Sequence, residues 1–111
     1  MDKAKVQHEF DQAVNMSAEE LEEWLETAES QRVGYRRPDC SESVGHASGR
    51  DIVRILRTPG TRLDDEDYLH MRKVVGYVHR HRAQRPANIY TSRWRYSLMN
   101  WGHDPVKEDE R

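Results

Sequence analysis

Arg72, Lys73, His79 and Arg80 are the residues whose types and spacing best suit a chemical task, and that task is holding phosphate. At about 100° per residue they share one face of an α-helix with Gly76 at its centre. Tyr68, Met71, Val74, Val75 and Val78 fall on the opposite side, so the positive face points to solvent. Guanidinium and ammonium groups bind phosphate oxygens by charge-assisted hydrogen bonds. The four belong to a longer segment. Between His70 and His103 the chain has seven cations (Arg72, Lys73, Arg80, Arg82, Arg85, Arg93, Arg95) and no Asp or Glu. The overall net charge of −2 hides this, because residues 1–31 carry nine acids against Lys3 and Lys5. A chain sorted into an acidic start and a basic finish has a dipolar surface, and nucleic acid is a natural partner of its basic part. Gly76 costs a helix interior about 0.5–1 kcal/mol against alanine. A bare spot among arginines would admit a phosphate or, equally, a neighbouring helix. Arg82 falls on the apolar side, where it either snorkels or marks the helix end.

Two further clusters could support that face. Gly45, Ser48 and Gly49, followed by Arg50, read as a turn leading into a helix capped by Ser48, and free amides at a helix N-terminus attract anions. A cap and a tight turn explain the same residues without a ligand. In the segment 91–103, Trp94, Leu98 and Trp101 lie at i, i+4 and i+7, a stripe that belongs to a core. Arg93, Arg95 and Tyr96 lie off that stripe and remain available for contacts. A helix-turn-helix formed by the segments on either side of Thr58-Pro59-Gly60 is disfavoured. Recognition helices present their N-terminal residues to the groove, and here those are Asp64, Asp65, Glu66 and Asp67.

Catalytic readings have little to stand on. His79 and His81 are about 200° apart on a helix, and His70 and His81 share a stripe about 16 Å apart, so neither pair can share an ion. No cysteine pair and no His-x-x-x-His spacing is present, so no metal or cofactor site is expected. A Cys40–His46 nucleophile would depend on the fold bringing the two together. The one cysteine excludes an internal disulfide and suits a reducing, cytoplasmic setting, in which the Asn15-Met16-Ser17 sequon has no meaning. No apolar run approaches the roughly 20 residues that span a membrane, and no leader-like stretch follows Met1.

The elements that must position these residues read as helices. With 111 residues, 34% charged and 35% hydrophobic, the chain fits one domain with a small core, spanning 1–105, followed by a polar tail at 106–111. Val6, Phe10 and Val14 predict a first helix. Ser17 with Glu20 forms a capping box opening a second, whose buried stripe is Leu21, Trp24, Leu25 and Ala28. Residues 30–47 lose all periodicity and read as a long loop. A short helix carrying Ile52, Val53, Ile55 and Leu56 follows, then the long basic helix near 65–84, stopped by Pro86. A last one starts at Thr91 or Ser92 and is ended by Gly102 and Pro105. The expected fold is all-α with about five helices and no strand.

Three strings, SVGHASGRDIV at 43–53, DYLHMRKVVGYVHRH at 67–81 and RWRYSLMNWGHDP at 93–105, resemble a small, mostly bacterial family of unknown function, DUF3140. The resemblance runs from about Phe10 to Lys107. Members of that family often carry the description "DNA-binding protein", so the resemblance implies DNA binding; it carries no ligand residues with it. The reading is a DNA-binding domain making non-specific phosphate contacts through Arg50, Arg72, Lys73, Gly76, His79 and Arg80, supported by Arg93 and Arg95. The alternative is a protein-interaction module or homodimer, in which the acidic helix at Glu19–Glu29 meets the basic one. A third reading is a small-anion or nucleotide-phosphate enzyme built on the Gly45–Arg50 turn.

Overall fold

The structure, a computed structural model, describes residues 1–109. Among them the fold is all-α, with seven helices and a 3₁₀ turn at Gly60–Arg62. No helix is long and apolar enough to cross a membrane. Helix α1 (Lys3–Ala13) is capped by Asp2 and buries Val6, Phe10 and Ala13. It packs along α5 (Asp65–Arg82), which contributes Met71, Val74, Val75 and Val78 to the same core. Helix α2 (Ala18–Leu25) opens with the Ser17–Glu20 capping box and lays Leu21 and Leu25 against α4 (Val44–Leu56). Helix α6 (Arg93–Asn100), capped by Ser92, touches α2, α3 (Ala28–Arg32), α4 and α5, and its Leu98 is fully buried. One contiguous core therefore joins all the long elements.

The structure corrects four boundaries. The expected loop from Ser30 begins later, because Thr27 caps the short helix α3 by accepting from the Ser30 amide. Helix α4 starts at Ser43, whose hydroxyl accepts from the His46 amide at 3.0 Å, and not at Ser48. Gly45 and Gly49 are thus helical. A Cβ on Gly49 would lie 2.6 Å from the Asn100 carbonyl oxygen and 2.7 Å from a Leu25 methyl. Glycine stands there because three helices converge. Helix α5 ends at Arg82 rather than Gln84. Finally, Pro105 starts α7 (Pro105–Asp109) instead of ending the fold.

Helix α6 stops in a Schellman arrangement. The His103 amide reaches the Leu98 carbonyl at 3.1 Å and the Gly102 amide reaches Met99 at 3.0 Å, with Gly102 at φ +83°. The segment expected as a tail from Val106 is tied down as far as Asp109. The Lys107 ammonium donates to the Asn15 carbonyl (3.0 Å) and to the Glu20 carboxylate (2.8 Å), while Glu108 and Asp109 pair with Arg82 and Arg85. Residues 110–111, the rest of that expected tail, lie outside the described residues.

Candidate nucleic-acid interface

Ion pairing sorts the cations. Arg82 pairs with Glu108, Arg85 with Asp109 and Arg95 with Asp104 (3.1 Å), so three of the seven cations in the acid-free segment are matched from outside it. Arg95 is also half-buried and donates to the Tyr90 carbonyl, which removes it from the expected contact set. Arg50 leaves it too: its guanidinium forks onto Glu42 at 2.5 and 2.8 Å. The expected Gly45–Ser48–Gly49 turn is helix. Ser48 points its hydroxyl at His70 Nε2 (2.9 Å), linking α4 to α5. What remains is Arg72, Lys73, Arg80 and Arg93, exposed and without a carboxylate partner among the described residues. His79 is exposed beside them. None of them meets the α2 glutamates; Glu22 is taken by Arg57, the C-cap of α4, at 2.8 Å.

Gly76 is not a bare spot. A Cβ there would lie 3.1 Å from an Arg80 guanidinium nitrogen, so the Arg80 side chain folds back over the glycine. No second helix approaches it within 4 Å.

The α5 face is in fact the crest between two depressions. One, of about 540 Å³, runs between α1 and α5 and is lined by Lys5, Arg72, Gly76 and His79, but also by Asp2 and Glu9. The other, of about 360 Å³, opens between α5, α6 and the start of α4. Lys73 and Arg80 line it, along with Tyr35, Tyr77, His81, Ser97 and Trp101, and no carboxylate does. The two sides therefore differ in kind: mixed charge against α1, cations with aromatic rings against α6.

The aromatic wall is a column. Tyr77 lies 4.0 Å from His81 at 21° and 4.2 Å from Trp101 at 15°. Two rings so close and nearly parallel to a third cannot share one of its faces, so Tyr77 is sandwiched. Beyond Trp101 stands His70, 6.3 Å away and 16° from parallel. The stripe of His70, Tyr77 and His81 on α5 thus accepts Trp101, the C-cap of α6, between its members. Burial pushes the Tyr77 hydroxyl up to about 12 and holds His81 below the ordinary histidine range, with the Arg80 charge adding to the latter. Burial likewise lowers His70, opposed by nearby Asp51. The column is therefore uncharged at neutral pH, and the positive charge of the cleft resides in Lys73 and Arg80.

Tyr35 was missed at the level of sequence. It projects from the loop between α3 and α4, 70% exposed, and its carbonyl accepts from the Val44 amide at 2.8 Å. Its neighbours Arg36 and Arg37 are exposed as well. A lone Tyr in an aperiodic stretch carries little signal; the two arginines that follow it, Arg36 and Arg37, are the cue that could have flagged it. Other candidates are separated by the fold. His79 lines the α1 groove while His81 lines the cleft. His46 is engaged by Glu42 (2.5 Å) and the Leu25 carbonyl (2.7 Å), and Cys40 is exposed on the loop.

The basic crest, and every ring of the aromatic column except Trp101, lie in the part of the chain that matches a known family. Residues 9–99 match the family described as "Protein of unknown function (DUF3140)", and the chain belongs to it. No curated protein and no solved structure matches it.

Proposed function

We propose that this domain binds DNA by non-specific contacts to the phosphate backbone, made by the exposed crest of α5 through Arg72, Lys73 and Arg80, with Arg93 as a support. The observation that carries the reading is the sorting of charge. Most cations elsewhere along the helices have carboxylate partners, whereas these stand exposed without one among the described residues. An unpaired cation on a rigid helix gains most from a phosphate, because no internal ion pair must be broken first. Such contacts provide affinity through release of condensed counterions and read no sequence.

The test is fluorescence anisotropy with duplex DNA over a salt series. Affinity should fall steeply with salt, and Arg72→Glu/Arg80→Glu should weaken binding about thirtyfold and flatten the salt dependence. No binding at low salt would overturn the reading. One observation favours the rival of self-association: Glu19, Glu23, Glu26 and Glu29 are exposed without a cation partner among the described residues. Sedimentation would then give a dimer that dissociates on reversing the charge of Glu23 and Glu26.

A further inference from the structure

We infer that the cleft between α4, α5 and α6 takes one unstacked nucleotide of a single strand, its base entering beside Tyr35 and its flanking phosphates resting on Lys73 and Arg80. This rests on the reading that the α5 crest binds nucleic acid. Four features of the cleft point the same way. Lys73 and Arg80 belong to both the crest and the cleft, so a strand that follows the crest passes over the opening. They sit one turn on either side of Tyr77, about 10 Å apart along the axis, and so bracket the opening. Both faces of Tyr77 are already covered, but the exposed ring of Tyr35 has no aromatic partner among the described residues and stands free to stack. Finally, the indole N–H of Trp101 opens into the cleft without a protein acceptor among the described residues.

Trp101 keeps only 4% of its surface, and among the described residues its indole N–H has no acceptor, although no side-chain polar atom sealed from solvent lacks a partner. The N–H is therefore reached from the cleft. It is uncovered because position 45 is glycine: a Cβ there would lie 2.9 Å from Trp101 Nε1. The other two indoles are satisfied, Trp24 by Asn100 at 2.8 Å and Trp94 by the His81 carbonyl. A base offers what this site lacks, a flat ring for Tyr35 and in-plane acceptors for the Trp101 N–H. A duplex cannot supply it, because its bases are stacked and paired.

The experiment compares four probes under one low-salt condition: a short oligothymidylate, an abasic strand of equal length and charge, a duplex, and free thymidine monophosphate. The oligothymidylate should bind about tenfold more tightly than the abasic strand, within the range that one base stacked on an aromatic ring provides. Tyr35→Ala, at an exposed loop position, should erase that difference. Equal affinity for the two strands, or a difference that survives Tyr35→Ala, overturns the cleft assignment while duplex binding keeps the crest reading intact. Loss of all binding overturns both. Thymidine monophosphate binding as tightly as the strand would reassign the cleft to free nucleotides and overturn the single-strand proposal.

Discussion

The two depressions beside α5 draw on the same helix and nearly the same charge, yet they are different surfaces. Toward α1, Arg72 and His79 share their groove with Asp2 and Glu9, and Lys5 already leans on Glu9 at 4.0 Å. Toward α6, Lys73 and Arg80 share theirs with aromatic rings and an open indole N–H. A positive count along the sequence thus overstates one side and understates the other. A phosphate near Arg72 feels carboxylates as well as the guanidinium; a phosphate near Arg80 meets no such opposition. Local charge balance and an aromatic lining separate the two, and both are set by which helix packs alongside.

The largest expected effect breaks the cleft itself. Asn100 is fully buried: its side-chain oxygen accepts from Trp24 (2.8 Å) and Ser30 (2.6 Å), and its amide donates to the Ser30 carbonyl (3.0 Å). Asn100→Ala leaves those partners unsatisfied and should cost about 3 kcal/mol in urea unfolding, whereas the α1 groove has no comparable polar floor. Next comes the electrostatic contrast. Arg80→Glu should weaken duplex affinity about tenfold and Arg72→Glu about threefold, because Glu9 already offsets part of the Arg72 field; equal losses in an anisotropy titration would erase the distinction.

Third is acid sensitivity at the Glu42–Arg50 pair beside the start of α4. The Arg50 guanidinium, aided by His46, holds the Glu42 carboxyl down to about 2 against an ordinary 4.5. A carboxylate favoured by the folded state stabilises it fully above about 4.5, and that contribution is lost as pH falls toward 2. Glu42→Gln should cost about 1 kcal/mol at neutral pH, consistent with a partly exposed pair, and flatten the acid limb of a stability–pH curve. Smallest is Gly76→Ala. The new methyl displaces only the flexible end of Arg80, so helix propensity should win and thermal unfolding should show a gain of about 0.5–1 kcal/mol.

Much of the fold was legible because it is written in local spacing. Val6 and Phe10, the Ser17–Glu20 box, the valines of α5 and the stripe of Leu98 and Trp101 each declare a helix and its buried side within a few residues. The missed elements were those whose local signal misleads. Two glycines within five residues read as a turn at 45–49, and only the approach of Leu25, Asn100 and Trp101 explains why glycine stands inside a helix there. Pro105 read as a terminator, though proline is equally at home at a first helical position. Of the candidate site, Arg72, Lys73, His79 and Arg80 were legible as one face. That Arg50 and Arg95 are neutralised, that Gly76 lies under Arg80, and that Tyr35 and Trp101 wall a cleft were not.

By itself the sequence determined an all-helical chain, an amphipathic basic helix and the segregation of acids from bases, since each follows from residue type and the 3.6-residue period. Only the tertiary structure decided which cations keep a free charge and which rings meet, because those depend on partners far apart in the chain, such as Glu20 and Lys107, 87 residues apart. Periodicity specifies a face; the neighbour packed against that face specifies its chemistry.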